Sequence, residues 1–141
     1  MRISFDKGEL DLDLIHAFLS GAYWSVGIPR HTVERAIKGS FTVAAFEPDE
    51  EGKDEQIGFA RLVTDYATFA YLADVFVLPA HRGKRVASAM IQALHDHPDL
   101  QGLRRWALFT RDMQSVYASL GWEQYPHPER LMVRDDPDTP R

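Results

Sequence analysis

Tyr71 to Met90, YLADVFVLPAHRGKRVASAM, is the stretch whose reading decides the fold. Its first part, Tyr71–Leu78, is almost wholly apolar, the pattern of a strand buried on both faces in the middle of a sheet, and Pro79 ends it. From Val86 to His95 the apolar residues Val86, Met90, Ile91 and Leu94 recur at helical spacing, and Pro98 bars continuation. Between strand and helix, His81, Arg82, Lys84 and Arg85 surround Gly83. Cations at a helix start oppose its dipole and cost about 0.3–1 kcal/mol each. A bound anion reverses that sign, because free backbone N–H groups, a permissive glycine and fixed positive charge together form a phosphate or pyrophosphate cradle. The competing reading is a tight turn at Gly83 with solvated basic side chains. Position favours the cradle, since ligands of open α/β sheets sit at the carboxyl ends of strands.

Working outward, Arg2–Phe5 is a short strand candidate, and Asp11–Ser20 carries Leu12, Ile15, His16 and Leu19 at helical spacing with Gly21 as a stop. His31–Lys38 follows Pro29 as a second short helix with Val33, Ala36 and Ile37 as its stripe. Phe41–Phe46 and Ile57–Thr64 are β-rich runs that pair naturally as an antiparallel hairpin across the acidic segment between them. Downstream, Arg105–Thr110 reads as a strand, Met113–Leu120 as a short helix ended by Gly121, and Leu131–Val133 as a last strand, with room for another near Trp122. A strand, crossover helix and strand from 71 to 110 make two neighbours parallel, whereas the earlier strands pair as hairpins. The fold class expected is therefore α/β, layered, with a mixed and mostly antiparallel central sheet flanked by helices.

The 141 residues suit one core, expected over residues 1–134, with the apolar-free tail Asp135–Arg141 disordered. Cysteine is absent, which excludes disulfides, Cys-zinc sites and thiol nucleophiles and suits a reducing cytoplasm. The run Glu47–Glu55, EPDEEGKDE, holds six acids and one lysine and so carries the whole net charge of -5; it is expected to be solvated and poorly ordered. With the remaining charges balanced, nucleic acid is not an expected partner. Acids interrupt every apolar run of MRISFDKGELDLDL, and no stretch nears the roughly 18 apolar residues of a membrane span, so neither signal peptide nor membrane is expected. His95, Asp96, His97 and Asp99 flank a helix end where histidine suits the dipole, and no metal is expected there.

The strand DVFVLP followed by HRGKRVASAM, and WALFTRDMQSVYASLGW some thirty residues on, resembles the acetyl-CoA-binding core of the GNAT superfamily of N-acetyltransferases. The resemblance extends to the order of elements from 2 to 134 and to the family's ending of tyrosine, three residues and Gly-aromatic, here Tyr117 to Gly121-Trp122. The family's strict loop, Gln/Arg-x-x-Gly-x-Gly/Ala, falls on Ala80–Arg85 and is matched at Gly83 only. Arg85, in place of the second small residue, either crowds the pyrophosphate or points outward and adds a contact. Ala87 and Ser88 keep the following turn small.

The resemblance implies acetyl transfer from acetyl-CoA to an amine by direct attack, with acetyl-CoA as co-substrate. The implied coenzyme contacts are the backbone along Phe76, Val77 and Leu78, then Arg82, Gly83, Lys84, Arg85, Val86, Ala87 and Ser88. An N–H near Phe76 or Val77 would polarise the thioester carbonyl. Tyr117 would protonate the departing thiolate; the same position also suits a core tyrosine beside Val116 and Leu120. Asp74, inside an apolar strand, is the first choice of general base, its alternative being a buried ion pair with an arginine such as Arg61. Asp65 could bind the ammonium, or cap its turn. Tyr23 and Trp24 after the first helix, and Tyr66, Phe69 and Tyr71 near the central strand, are candidate walls of the acceptor pocket. Asp112 is expected to cap the Tyr117 helix and orient the pantetheine arm. The acceptor implied is a small-molecule primary amine, and homodimers are common in such folds. A non-catalytic acyl-CoA-binding or sensor module is the alternative reading.

Overall fold

The computed structural model describes residues 1–139. In chain order the elements are β1 (Arg2–Ser4), α1 (Leu12–Gly21), α2 (Arg30–Lys38), β2 (Phe41–Pro48), β3 (Asp54–Thr64), β4 (Phe69–Val77), α3 (Val86–Asp96), β5 (Arg105–Leu108) and α4 (Gln114–Ser119). The five strands form one sheet in the order β1-β2-β3-β4-β5, antiparallel except for the parallel pair β4–β5. This is the mixed, mostly antiparallel α/β arrangement expected from the sequence.

Each sheet face is covered by its own apolar cluster. On one side α3 lays Val86, Met90, Ile91 and Leu94 against Val43, Ile57, Leu62 and Leu72. On the other, Ile15 and Leu19 of α1 and Val33 and Ile37 of α2 pack on Phe59 and Phe76. Asp11 starts α1 by accepting the Leu14 N–H at 3.1 Å. The approach of α3 depends on Gly58, where a Cβ would lie only 3.0 Å from Met90 Cε.

β4 is less regular than its apolar run suggests. Opposite Phe59–Arg61 of β3 it spends one extra residue between Ala73 and Phe76, a bulge, with Asp74 in the left-handed region at φ 55°. The extra residue reverses the side-chain parity of the strand. Ala70 and Leu72 face the α3 core before it, and Val75 and Val77 do so after it, while Phe76 stacks on Phe18 of α1 at 4.0 Å. Only Phe69–Leu72 pairs with β5; beyond Leu72 and Leu108 the two strands part. β4 is thus next to the edge and half-open along its second half, not buried on both faces as its composition suggests.

Two further expectations are corrected. The acidic run is not a loose loop: Glu47–Pro48 and Asp54–Glu55 extend the β2–β3 ribbon, and Asp49 closes the turn by accepting the Glu51 and Lys53 N–H groups at 2.9 and 2.8 Å. Strand pairing needs backbone, not apolar side chains, so the ribbon outruns its hydrophobic pattern. Leu131–Val133 forms no strand; Met132 is 90% exposed, and among the described residues nothing after β5 joins the sheet. The expected disordered tail includes Pro140 and Arg141, which lie outside the described residues; Asp136 to Thr139 make a turn through the Asp136 carboxylate. No helix among the described residues is long and apolar enough to cross a membrane.

Candidate active site

Where β4 and β5 separate, a cleft of about 630 Å³ opens. Its walls are the chain between α1 and α2, the bulge of β4 and the loop from β5 to α4, with Tyr117 also in the lining. Six of the site candidates singled out in the sequence meet here: Tyr23, Trp24, Tyr71, Asp74, Asp112 and Tyr117, whereas Tyr66 does not line the cleft.

The bulge brings Asp74 to this face. Its Oδ1 accepts the indole N–H of Trp24 at 2.8 Å and its Oδ2 accepts Nε of Arg61 at 2.6 Å. Arg61 also donates to Ser40 Oγ at 3.3 Å. The ion pair is mostly shielded from water, with 20% and 11% of the two side chains exposed. The unpaired buried carboxylate read from the strand is therefore absent, and the alternative weighed with it, the pair with Arg61, is what forms. The Trp24 bond also ties the α1–α2 segment to β4.

Tyr117 is 6% exposed and its hydroxyl has no hydrogen-bond partner among the described residues. Burial, with a smaller contribution from Tyr23, pushes its phenol up to about 12. The group therefore stays neutral and able to donate. Its ring packs on Trp122 at 5.8 Å, and Trp122 donates its indole N–H to His95 Nε2 at 3.1 Å. Burial pulls the His95 imidazole below its ordinary value, consistent with a neutral acceptor. The histidine cluster at the end of α3 is thereby accounted for by aromatic packing, His97 lying against Phe5 and Phe41.

Beyond Val75, where the cleft lining ends, β4 leads along the chain into the basic loop. Leu78 commits its N–H to the Ile57 carbonyl at 2.8 Å, so strand alternation points the Phe76 N–H at β3 and the Val77 N–H to the open side. Of the two N–H groups considered for a thioester carbonyl, Val77 has the accessible direction. Arg82 Nε braces the turn from the Val77 carbonyl at 3.1 Å. Gly83 at φ 80° and Arg85 at φ 61° both take left-handed conformations, which for Arg85 costs about 1–2 kcal/mol. Arg85 stands at the N-cap of α3 without a side-chain cap, and the N–H groups of Val86, Ala87 and Ser88 have no acceptor among the described residues. Lys84 and Arg85 are exposed and form no ion pair with the described residues. Cations and open amides thus converge at the carboxyl end of β4.

Other expected residues lie elsewhere. Asp65 caps the β3–β4 turn, accepting the N–H groups of Ala67, Thr68 and Phe69 and the Thr68 hydroxyl, which holds its carboxyl well below the usual range. It and Phe69, 43% exposed, sit at the far end of β4 and do not line the cleft. Asp112 lines the cleft but does not cap α4; Thr110 Oγ1 takes the Met113 N–H at 3.1 Å instead, and Met113 is the N-cap. His81, expected among cations, contacts Glu47 Oε2 at 3.0 Å. Sequence reasoning missed Arg111, whose guanidinium lies 3.7 Å from the centre of the Tyr23 ring. Its one signal was its place just past the end of β5.

Residues 38–124 match the family description Acetyltransferase (GNAT) domain. The chain belongs to the GNAT family of acetyltransferases. It is similar to a GNAT-family chain of Xanthomonas campestris pv. campestris, a candidate acetyltransferase, at 45% identity and TM-score 0.88 over 96% of this chain and 93% of that one. A candidate acetyltransferase of Gibberella zeae is 32% identical, covering 87% of this chain and 79% of its own length. A Mycobacterium tuberculosis chain crystallised with CoA shares the fold at TM-score 0.66 and 22% identity, over 89% of this chain and 75% of that one. As a GNAT protein the chain is an acyltransferase enzyme, and the bulge and the parted strands are the parts of this GNAT domain that frame its cleft; the residues from Phe76 to Ser88 expected to bind coenzyme lie outside its lining.

Proposed function

We propose that the enzyme moves an acetyl group from acetyl-CoA to the primary amine of a small molecule by direct attack within a ternary complex. The observation that carries this reading is the parting of β4 from β5, which leaves a strand edge leading into the open amides at the start of α3. Pantetheine fits that edge as an added strand, and the pyrophosphate fits the loop of Arg82 to Ser88. CoA in the fold neighbour from Mycobacterium tuberculosis supports the same donor class.

In this reaction the amine nitrogen attacks the thioester carbonyl, the C–S bond breaks, the nitrogen loses a proton and the sulfur gains one. The Val77 N–H stabilises the carbonyl oxygen as charge develops. Asp74 faces the acceptor ammonium and takes its proton through lone pairs that Arg61 and Trp24 leave free. Tyr117 donates a hydrogen bond to the departing sulfur.

Calorimetric titration with acetyl-CoA, beside the Arg85→Glu variant, tests the donor. Both side chains occupy the same left-handed position, so charge is what changes. Binding in the micromolar range, weakened about tenfold or more by the substitution, is the expected result. No binding at millimolar coenzyme, or a variant that binds equally well, would reject this loop as the pyrophosphate site.

The pH–rate profile tests Tyr117. A phenol raised in the folded state keeps its proton through the range where a free tyrosine loses it, so any alkaline fall due to its ionisation centres near 12. Between pH 8 and 10 kcat/KM, which reports the free enzyme, is expected not to fall on its account. A decline centred near 10 that Tyr117→Phe abolishes would contradict this.

A further inference from the structure

The charged side chains lining the cleft are Arg61, Asp74, Arg111 and Asp112. Arg61 and Asp74 satisfy each other at 2.6 Å. Arg111 has no carboxylate within ion-pair distance among the described residues, and neither does Asp112 have a cation. Arg111 is nevertheless held: its guanidinium carbon sits 3.7 Å from the Tyr23 ring centroid. Tyr23 in turn packs edge-on against Trp24 at 5.1 Å, and Trp24 is fixed to Asp74. A guanidinium with its face on an aromatic ring keeps its in-plane N–H groups free, and that edge matches a carboxylate with two parallel hydrogen bonds.

Resting on the acetyl-transfer reading above, we propose that the acceptor carries a carboxylate beside its amine, an amino acid or a close derivative, and that Arg111 selects it. The carboxylate docks on the edge of Arg111, and the amino group is directed to the anionic face of Asp74. Transfer leaves the carboxylate unchanged: the new bond is nitrogen to acetyl carbon, the broken bond is carbon to sulfur, and the amine's proton is released as the sulfur takes one up. Tyr23 belongs to the segment between α1 and α2, so the residue that reads the carboxylate is held by a wall of the cleft it serves.

The test compares free amino acids with the matching amino acid amides, in which a neutral carboxamide replaces the carboxylate, by following thiol release from acetyl-CoA. The wild type and Arg111→Gln are assayed together. For the wild type, kcat/KM for the acids is expected to exceed that for the amides by about tenfold or more, carried mainly by KM. In Arg111→Gln the preference is expected to collapse toward unity while KM for acetyl-CoA stays within about twofold; Arg111→Lys, which keeps charge but loses the fork, is expected to fall between. Amides that serve as well as acids, or a preference that survives in Arg111→Gln, would overturn the proposal with acetyl transfer still standing. A rise in the KM for acetyl-CoA without any change in acceptor preference would instead assign Arg111 to the coenzyme and overturn it too. No turnover of any acceptor, in protein that calorimetry shows to bind acetyl-CoA, would remove the acetyl-transfer reading and this acceptor class together.

Discussion

Replacing Tyr117 with phenylalanine is expected to lower kcat by about 10²–10³ while leaving affinity for acetyl-CoA within about twofold. The hydroxyl makes no hydrogen bond among the described residues, so removing it orphans no partner and the fold should tolerate the change. In the proposed reaction it is free to act on the departing sulfur. With the phenol near 12 and a thiol near 8.5, handing the proton fully to the sulfur is uphill by about 5 kcal/mol. The productive act is therefore donation of a hydrogen bond as charge grows on sulfur in a cleft of low polarity, after which the thiolate is protonated at its own lower affinity. Single-turnover rates beside calorimetry separate the two quantities. An unchanged rate would take Tyr117 out of the chemistry; a large loss of coenzyme affinity would make it a binding residue.

Arg61→Met is expected to cost about 3 kcal/mol of folding stability, the low end for breaking a shielded ion pair because both side chains retain some exposure. The substitution strands the Asp74 carboxylate with only the Trp24 indole as partner, in a residue already held at positive φ. The double variant Arg61→Met, Asp74→Asn should recover much of the loss, since asparagine tolerates the left-handed conformation and still accepts from Trp24. Denaturant unfolding of wild type, single and double variants measures this. A single-variant cost below about 1 kcal/mol would mean that the pair behaves as a solvated surface bridge.

The order of strands and helices was legible because each relevant run carries its own period. Val86, Met90, Ile91 and Leu94 declare α3, and Phe41–Phe46 with Ile57–Thr64 declare the hairpin. What could not be read depends on pairing between distant segments. The bulge at Asp74 exists only as a register against β3, so the strand looked continuous and its aspartate looked unpaired. Arg61 was visible as a possible partner, but its register places it opposite Ala73, and only the bulge that follows brings the Asp74 carboxylate to its guanidinium. Arg111 meets Tyr23 across most of the chain, and neither residue has a neighbour that announces the other. Leu131–Val133 had strand composition without a strand to pair with, which shows how weakly three apolar residues specify an edge. Asp112 is not the cap because the helix begins one residue later than the apolar pattern implied, at Gln114 with Met113 as its N-cap.

The parted strands give the sheet a third edge, this one in its interior. β1 and β5 end the sheet as most sheets end, but the second half of β4 presents unpaired peptide groups a few residues from the apolar core. Such an edge is a template for any extended chain, and folded proteins usually blunt theirs with charge or a bulge. This one has both: Asp74 kinks it at its start, and Arg82 folds back onto the Val77 carbonyl at its end. The features that shape this edge are thus also those that keep it from capturing a neighbour's strand.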